Sequence, residues 1–142
     1  MRLLTCLSGI LPFFLSATVS AESADQFSPK QIEFYEKKIR PLFVQHCIDC
    51  HGPDDQSGEL RLDSVTALLA GGKAGPAAIP GEPDKSLMVQ AVRYLNPDFQ
   101  MPPSEALSKQ EIADLTRWIE MKLPHPPEAT NAKIRKSAAI DL

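Results

Sequence analysis

The sequence predicts an all-α domain of about four helices, and three observations carry that expectation. Apolar residues recur at helical spacings in several segments, two Ser-x-x-Gln/Glu boxes mark helix starts, and strand-like alternation is nearly absent. Between the periodic segments, 13 prolines and 7 glycines break the chain into short elements joined by turns. A length of 142 residues without internal repeats allows one ordinary domain with a single small core.

The first helix opens at Ser28-Pro29-Lys30-Gln31: Ser28 caps, Pro29 suits the first helical position, and Gln31 reaches back to complete a capping box. Phe34, Tyr35, Ile39, Leu42 and Phe43 continue it toward Cys47, with Pro41 expected to kink or restart the helix because it lacks an N–H. From His51 to Leu62, the residues Gly52, Pro53, Asp54, Asp55, Ser57 and Gly58 predict a loop. Asp63 is expected to cap a short second helix through Val65, Leu68 and Leu69, which Gly71-Gly72 ends with a left-handed cap. Pro83 suits the start of a third helix, with Leu87, Val89, Ala91 and Val92 as its apolar side up to about Tyr94. Pro97, Pro102 and Pro103 place Met101 in extended or turn backbone. Ser108-Lys109-Gln110-Glu111 is the second capping box, and Ile112, Leu115, Trp118 and Ile119 follow it at helical spacing until Pro124, Pro126 and Pro127 end the last helix.

The N-terminus has the composition of an export leader. Met1-Arg2 precedes an apolar stretch from Leu3 to Leu15, and Val19-Ser20-Ala21 supplies a small-residue cleavage site before Glu22, so residues 1–21 read as a signal peptide. The apolar stretch is too short and too interrupted to span a bilayer, so no stable membrane insertion is expected after cleavage. Cys6 precedes the apolar segment and therefore belongs to the leader rather than to a lipid anchor. Residues 22–30 lead into the domain, and residues 127–142, without aromatics or a convincing period, form a flexible tail. Loss of Arg2 with the leader takes the formal charge from −3 to −4, which argues against nucleic acid and for partners with a basic docking patch.

Only Cys47 and Cys50 remain after leader removal, and a disulfide between them would close a tiny loop. With the following histidine they form Cys47-Ile48-Asp49-Cys50-His51, the pattern for covalent haem c attachment: two thiols meet one edge of a porphyrin and the imidazole reaches the iron. A redox dithiol also has Cys-x-x-Cys but needs a βαβ context, and a zinc site needs four ligands, for which only His46 and His125 remain as further donors. One covalent haem with His51 as proximal iron ligand is thus the favoured reading.

For the opposite face of the iron the candidates are Met88, Met101, Met121, His46 and His125. Met88 and Met121 fall on predicted helices, where methionine packs into cores, and His46 adjoins Cys47 too closely to cross the ring. His125, in the proline-rich exit of the last helix, reads as solvated. Met101, on a segment stiffened by Pro102 and Pro103, is favoured as the distal ligand, against the alternative that it merely fills space and leaves the iron five-coordinate. The Pro53 carbonyl is a candidate acceptor for the other N–H of His51, and Gly52 a candidate for close approach of backbone to the porphyrin, though both also suit an ordinary turn. Trp118 and Tyr94 read as core aromatics, and Arg61 and Arg93 as surface cations.

Taken together, FYEKKIRPLFVQHC, CIDCHGPD, SGELRLDS, LLAGGKAGPAAIPGEPDKSLMVQAVRY, QMPP and LSKQEIADLTRWIEMKLP resemble the planctomycete-type cytochrome c domain, related to class I cytochromes c. The resemblance covers about residues 31 to 126 and implies a cytochrome c-like fold around one haem, with His51 proximal and Met101 distal. In that family the domain usually heads a much longer protein, and the short chain here favours a free carrier rather than an enzyme. The expected function is electron transfer in the periplasm or an equivalent compartment with redox partner proteins. The alternatives are a haem-bearing accessory subunit and a haem catalyst or sensor with a labile distal ligand.

Overall fold

The computed structural model describes residues 27–128, so the expected leader and all of the expected tail beyond Glu128 lie outside the described residues. The described residues are helical, with no named strand; their extended contacts are two isolated bridges, His51 with Gln56 and Gly72 with Gly75. None of their helices is long and apolar enough to cross a membrane.

The first predicted helix is three pieces in line. Helix α1 (Pro29–Phe34) begins at Ser28, whose N–H and Oγ–H both donate to Gln31 Oε1, at 2.9 and 2.8 Å. A π-helical turn (Tyr35–Ile39) then leads into α2 (Arg40–His46). Pro41 has no N–H for the Lys37 carbonyl, and just before it the Arg40 N–H bonds to Tyr35, five residues back, so the ladder widens where the sequence predicted a restart. Tyr35, Ile39, Leu42 and Phe43 form the buried face.

Helix α4 (Val65–Ala70) follows the single turn α3 (Ile48–His51) and the attachment loop. Its cap is Ser64 and not Asp63: Ser64 Oγ accepts the Ala67 N–H at 3.1 Å. The Asp63 carboxylate instead takes both Arg61 nitrogens, at 3.0 and 2.8 Å, which also settles Arg61 as paired rather than merely solvated. Glu128, from the far end of the domain, accepts the Thr66 N–H at 2.9 Å and so satisfies a second free donor at the start of α4. Gly71 ends α4 at φ 76°, and a Cβ there would stand 2.1 Å from the Gly75 carbonyl oxygen.

Helix α5 (Leu87–Val92) does not run on from Pro83, where only one 3-10 turn (Pro83–Lys85) forms. Ser86 splits the two because it is fully buried and extended, its Oγ accepting the Ile79 N–H and donating to the Glu82 carbonyl, each at 2.9 Å. Satisfying those two buried loop groups outweighs a continuous helix. Helix α6 (Lys109–Glu120) starts at the expected box, with Ser108 Oγ accepting from Glu111 N at 3.2 Å and Glu111 returning the contact to Ser108 N at 2.8 Å. It packs on the π turn and on α5. At the centre of the core, Trp118 has no exposed surface, meets Phe43 edge-on at 5.5 Å and Tyr35 at 5.8 Å, and donates its indole N–H to the Pro124 carbonyl at 2.8 Å.

Candidate functional site

Beside this core lies a cavity of about 340 Å³, within the range of small-molecule and cofactor sites. Its walls are mostly apolar: Leu42 and Phe43 from α2, Leu87, Met88, Ala91 and Val92 from α5, Leu115 from α6, and Leu60, Leu62, Ala77 and Phe99 from loops. Cys47, Cys50, His51 and Met101 line this same space.

The attachment motif is placed by a change of backbone at Cys47, which leaves α2 at φ −126° and starts α3. Its carbonyl accepts the His51 N–H at 2.9 Å, so Cys47, Cys50 and His51, at i, i+3 and i+4, share one side of a helical turn. That is the physical sense of two residues between the cysteines. The Leu62 N–H donates to the His51 carbonyl at 2.8 Å and closes the loop behind the motif. Cys50 is exposed, whereas burial pushes the Cys47 thiol up to about 12. Cys47 therefore stays protonated at ordinary pH and is a weak nucleophile until a base or an opening of the fold releases it.

Met101 sits in the bend following Asn96-Pro97, with a cis peptide bond to Pro102, and its N–H donates to the Ala91 carbonyl at 3.2 Å. His46 also borders the cavity, its Nε2 3.1 Å from Glu111 Oε1. Hydrogen bonds from Ser108, with His46 contributing less, hold the Glu111 carboxyl below its usual range. Met121 and His125 are not in the lining; the His125 ring meets Phe27 at a tilt, 5.7 Å between centroids, and its Nδ1 lies 2.7 Å from the Leu123 carbonyl oxygen.

One expectation about the turn after His51 needs correction. The Pro53 carbonyl accepts from Gln56 Nε2 at 3.4 Å, while the buried His51 Nδ1 has no protein partner. Gly52 is also explained locally: a Cβ there would meet the Ile48 carbonyl oxygen at 2.4 Å, so its missing side chain serves the end of α3. Neither Gly52 nor Pro53 lines the cavity.

Sequence reasoning missed one whole wall, made by Ser57 and Gly58 together with Gly72, Lys73, Ala74 and Gly75. The Lys73 N–H donates to the Gly58 carbonyl at 2.9 Å, and Gly72 and Gly75 exchange hydrogen bonds at 3.1 and 2.9 Å. A Cβ on Gly72 would stand 2.4 Å from the Gly58 oxygen, so the spacing of glycines was the available signal. Gly72→Ala is expected to force the two loops apart at a cost of about 1–3 kcal/mol in denaturant unfolding. A wild-type midpoint would mean that the loops do not meet there.

The donor set suits haem. Two thiols and an imidazole on one helical turn, a thioether from a second loop and apolar walls match covalent attachment and soft nitrogen and sulfur ligation. Among the described residues no group of three or more His, Cys, Asp or Glu side chains could hold a metal ion by itself. Residues 47–105 match the family model described as Planctomycete cytochrome C. No curated protein and no solved structure matches the chain.

Proposed function

We propose, from the match of residues 47–105 to the planctomycete cytochrome c family model, that this is an exported mono-haem cytochrome c that carries single electrons. The observation that carries this reading is that Met101, far away in sequence, lines the same apolar cavity as Cys47, Cys50 and His51.

Haem, when bound, supplies the one-electron Fe(III)/Fe(II) couple. Cys47 and Cys50 would hold it covalently through their two thiols. His51 and Met101 would supply its iron with nitrogen and sulfur, and the walls of Leu, Val, Ala and Phe would exclude water. An apolar surround disfavours the extra positive charge of the ferric state, and methionine ligation acts in the same direction, so a raised potential follows. The leader-like residues 1–21 support export, and the net acidity supports redox partners with a basic docking face.

The test is the absorption spectrum of protein produced in a host with haem c maturation machinery. Covalent haem that survives denaturation, sharp reduced bands and a ferric methionine–iron charge-transfer band are expected. A high-spin spectrum that responds to carbon monoxide would replace the carrier by a catalyst or sensor, and absence of covalent haem would end the reading altogether.

A further inference from the structure

The end of α5 grips the methionine loop at two adjacent residues. The Ala91 carbonyl accepts the Met101 N–H at 3.2 Å, and the Tyr94 hydroxyl donates to the Pro102 carbonyl. That same Ala91 carbonyl also accepts the Tyr94 N–H, at 3.1 Å, so one backbone group registers both the tyrosine and the methionine.

The Tyr94 φ of 56° is left-handed because the residue ends α5: the Tyr94 N–H bonds to the Ala91 carbonyl and the Leu95 N–H to the Gln90 carbonyl, at 3.1 and 3.2 Å, in a helix cap that Gly or Asn adopts more easily. Tyr94 is only half-buried and stands outside the buried cluster. It does not line the cavity either. The helix end accounts for the backbone, whereas the side chain does something further: its hydroxyl bonds the residue next to Met101. The other bonds of the loop, from Asp98 N and Phe99 N to Asn96, are internal to it and fix nothing relative to α5.

We propose that Tyr94 is a positioning residue that keeps the Met101 thioether at the iron, an inference that rests on the His51/Met101 ligation proposed above. Without the hydroxyl the loop keeps one anchor on α5, and Met101 competes less well with outside ligands. The magnitude follows from a net hydrogen bond of about 0.5–1.5 kcal/mol, or roughly a threefold to tenfold change in a binding constant.

The experiment titrates imidazole into the ferric, haem-loaded protein while following the methionine–iron band, for wild type, Tyr94→Phe, Tyr94→Asn and Met101→Ala. Tyr94→Phe is expected to show the band initially and to lose it at about threefold to tenfold lower imidazole. Tyr94→Asn relieves the backbone strain, so the same weakening is expected with thermal stability kept or raised. Weakening that simply tracks lost stability in both variants would make Tyr94 a structural residue and overturn the proposal. A wild-type titration for Tyr94→Phe, with the band abolished in Met101→Ala, overturns it too but leaves the ligation standing. A band that survives Met101→Ala removes the ligation reading and the tether together.

Discussion

Replacing Trp118 with alanine is expected to cost about 3–5 kcal/mol in stability, enough to unfold much of the protein at moderate temperature. The indole is wholly buried and joins the two halves of the core, meeting Phe43 edge-on and Tyr35 at a tilt from α6. Alanine removes that volume and both aromatic contacts. It also strands the carbonyl of the buried Pro124, which accepts the indole N–H at 2.8 Å, so a desolvation penalty adds to the cavity cost. Denaturant unfolding of the haem-loaded variant reads the sum, with Trp118→Phe as an intermediate that keeps a ring and loses the N–H donor. A loss below about 1 kcal/mol for alanine would show that the core closes without the indole.

Met101→Ala is expected to change the iron more than any other substitution outside the attachment motif. With the thioether gone, the ferric charge-transfer band disappears, the haem becomes high-spin, the reduced form binds carbon monoxide, and the potential falls. Met88 gives the measurement its discriminating arm, because its side chain also borders the cavity and is nearly buried, at 8% exposure. If Met88 were the ligand, Met101→Ala would leave the band in place and Met88→Leu would remove it. The geometry favours the first outcome: Met88 lies within α5, its N–H bonded to the Ala77 carbonyl at 2.8 Å, whereas Met101 lies on a loop free of helical constraints.

Local chemistry was readable from the chain. The capping boxes at Ser28 and Ser108 stand where their spacing put them, and the restart around Pro41 follows from one missing N–H. Where the reading failed, a nearby side-chain bond had taken over. Asp63 is a good cap in isolation, yet Arg61 claims its carboxylate and leaves Ser64 the role. Pro83 is a good helix start, yet the buried Ser86 hydroxyl must serve Ile79 and Glu82 and so breaks the helix.

The same division runs through the site. Composition and spacing alone determined an all-α chain, the Cys47-Ile48-Asp49-Cys50-His51 turn and a methionine on a proline-stiffened loop, because each depends on backbone preferences and neighbours within one or two turns. Only the tertiary structure decided that loops around Gly58 and Gly72 close one wall and that the Tyr94 hydroxyl meets the Pro102 carbonyl. Those outcomes turn on which carbonyl or Cβ lies within a few ångströms in space, and nothing in a residue's immediate sequence encodes that distance.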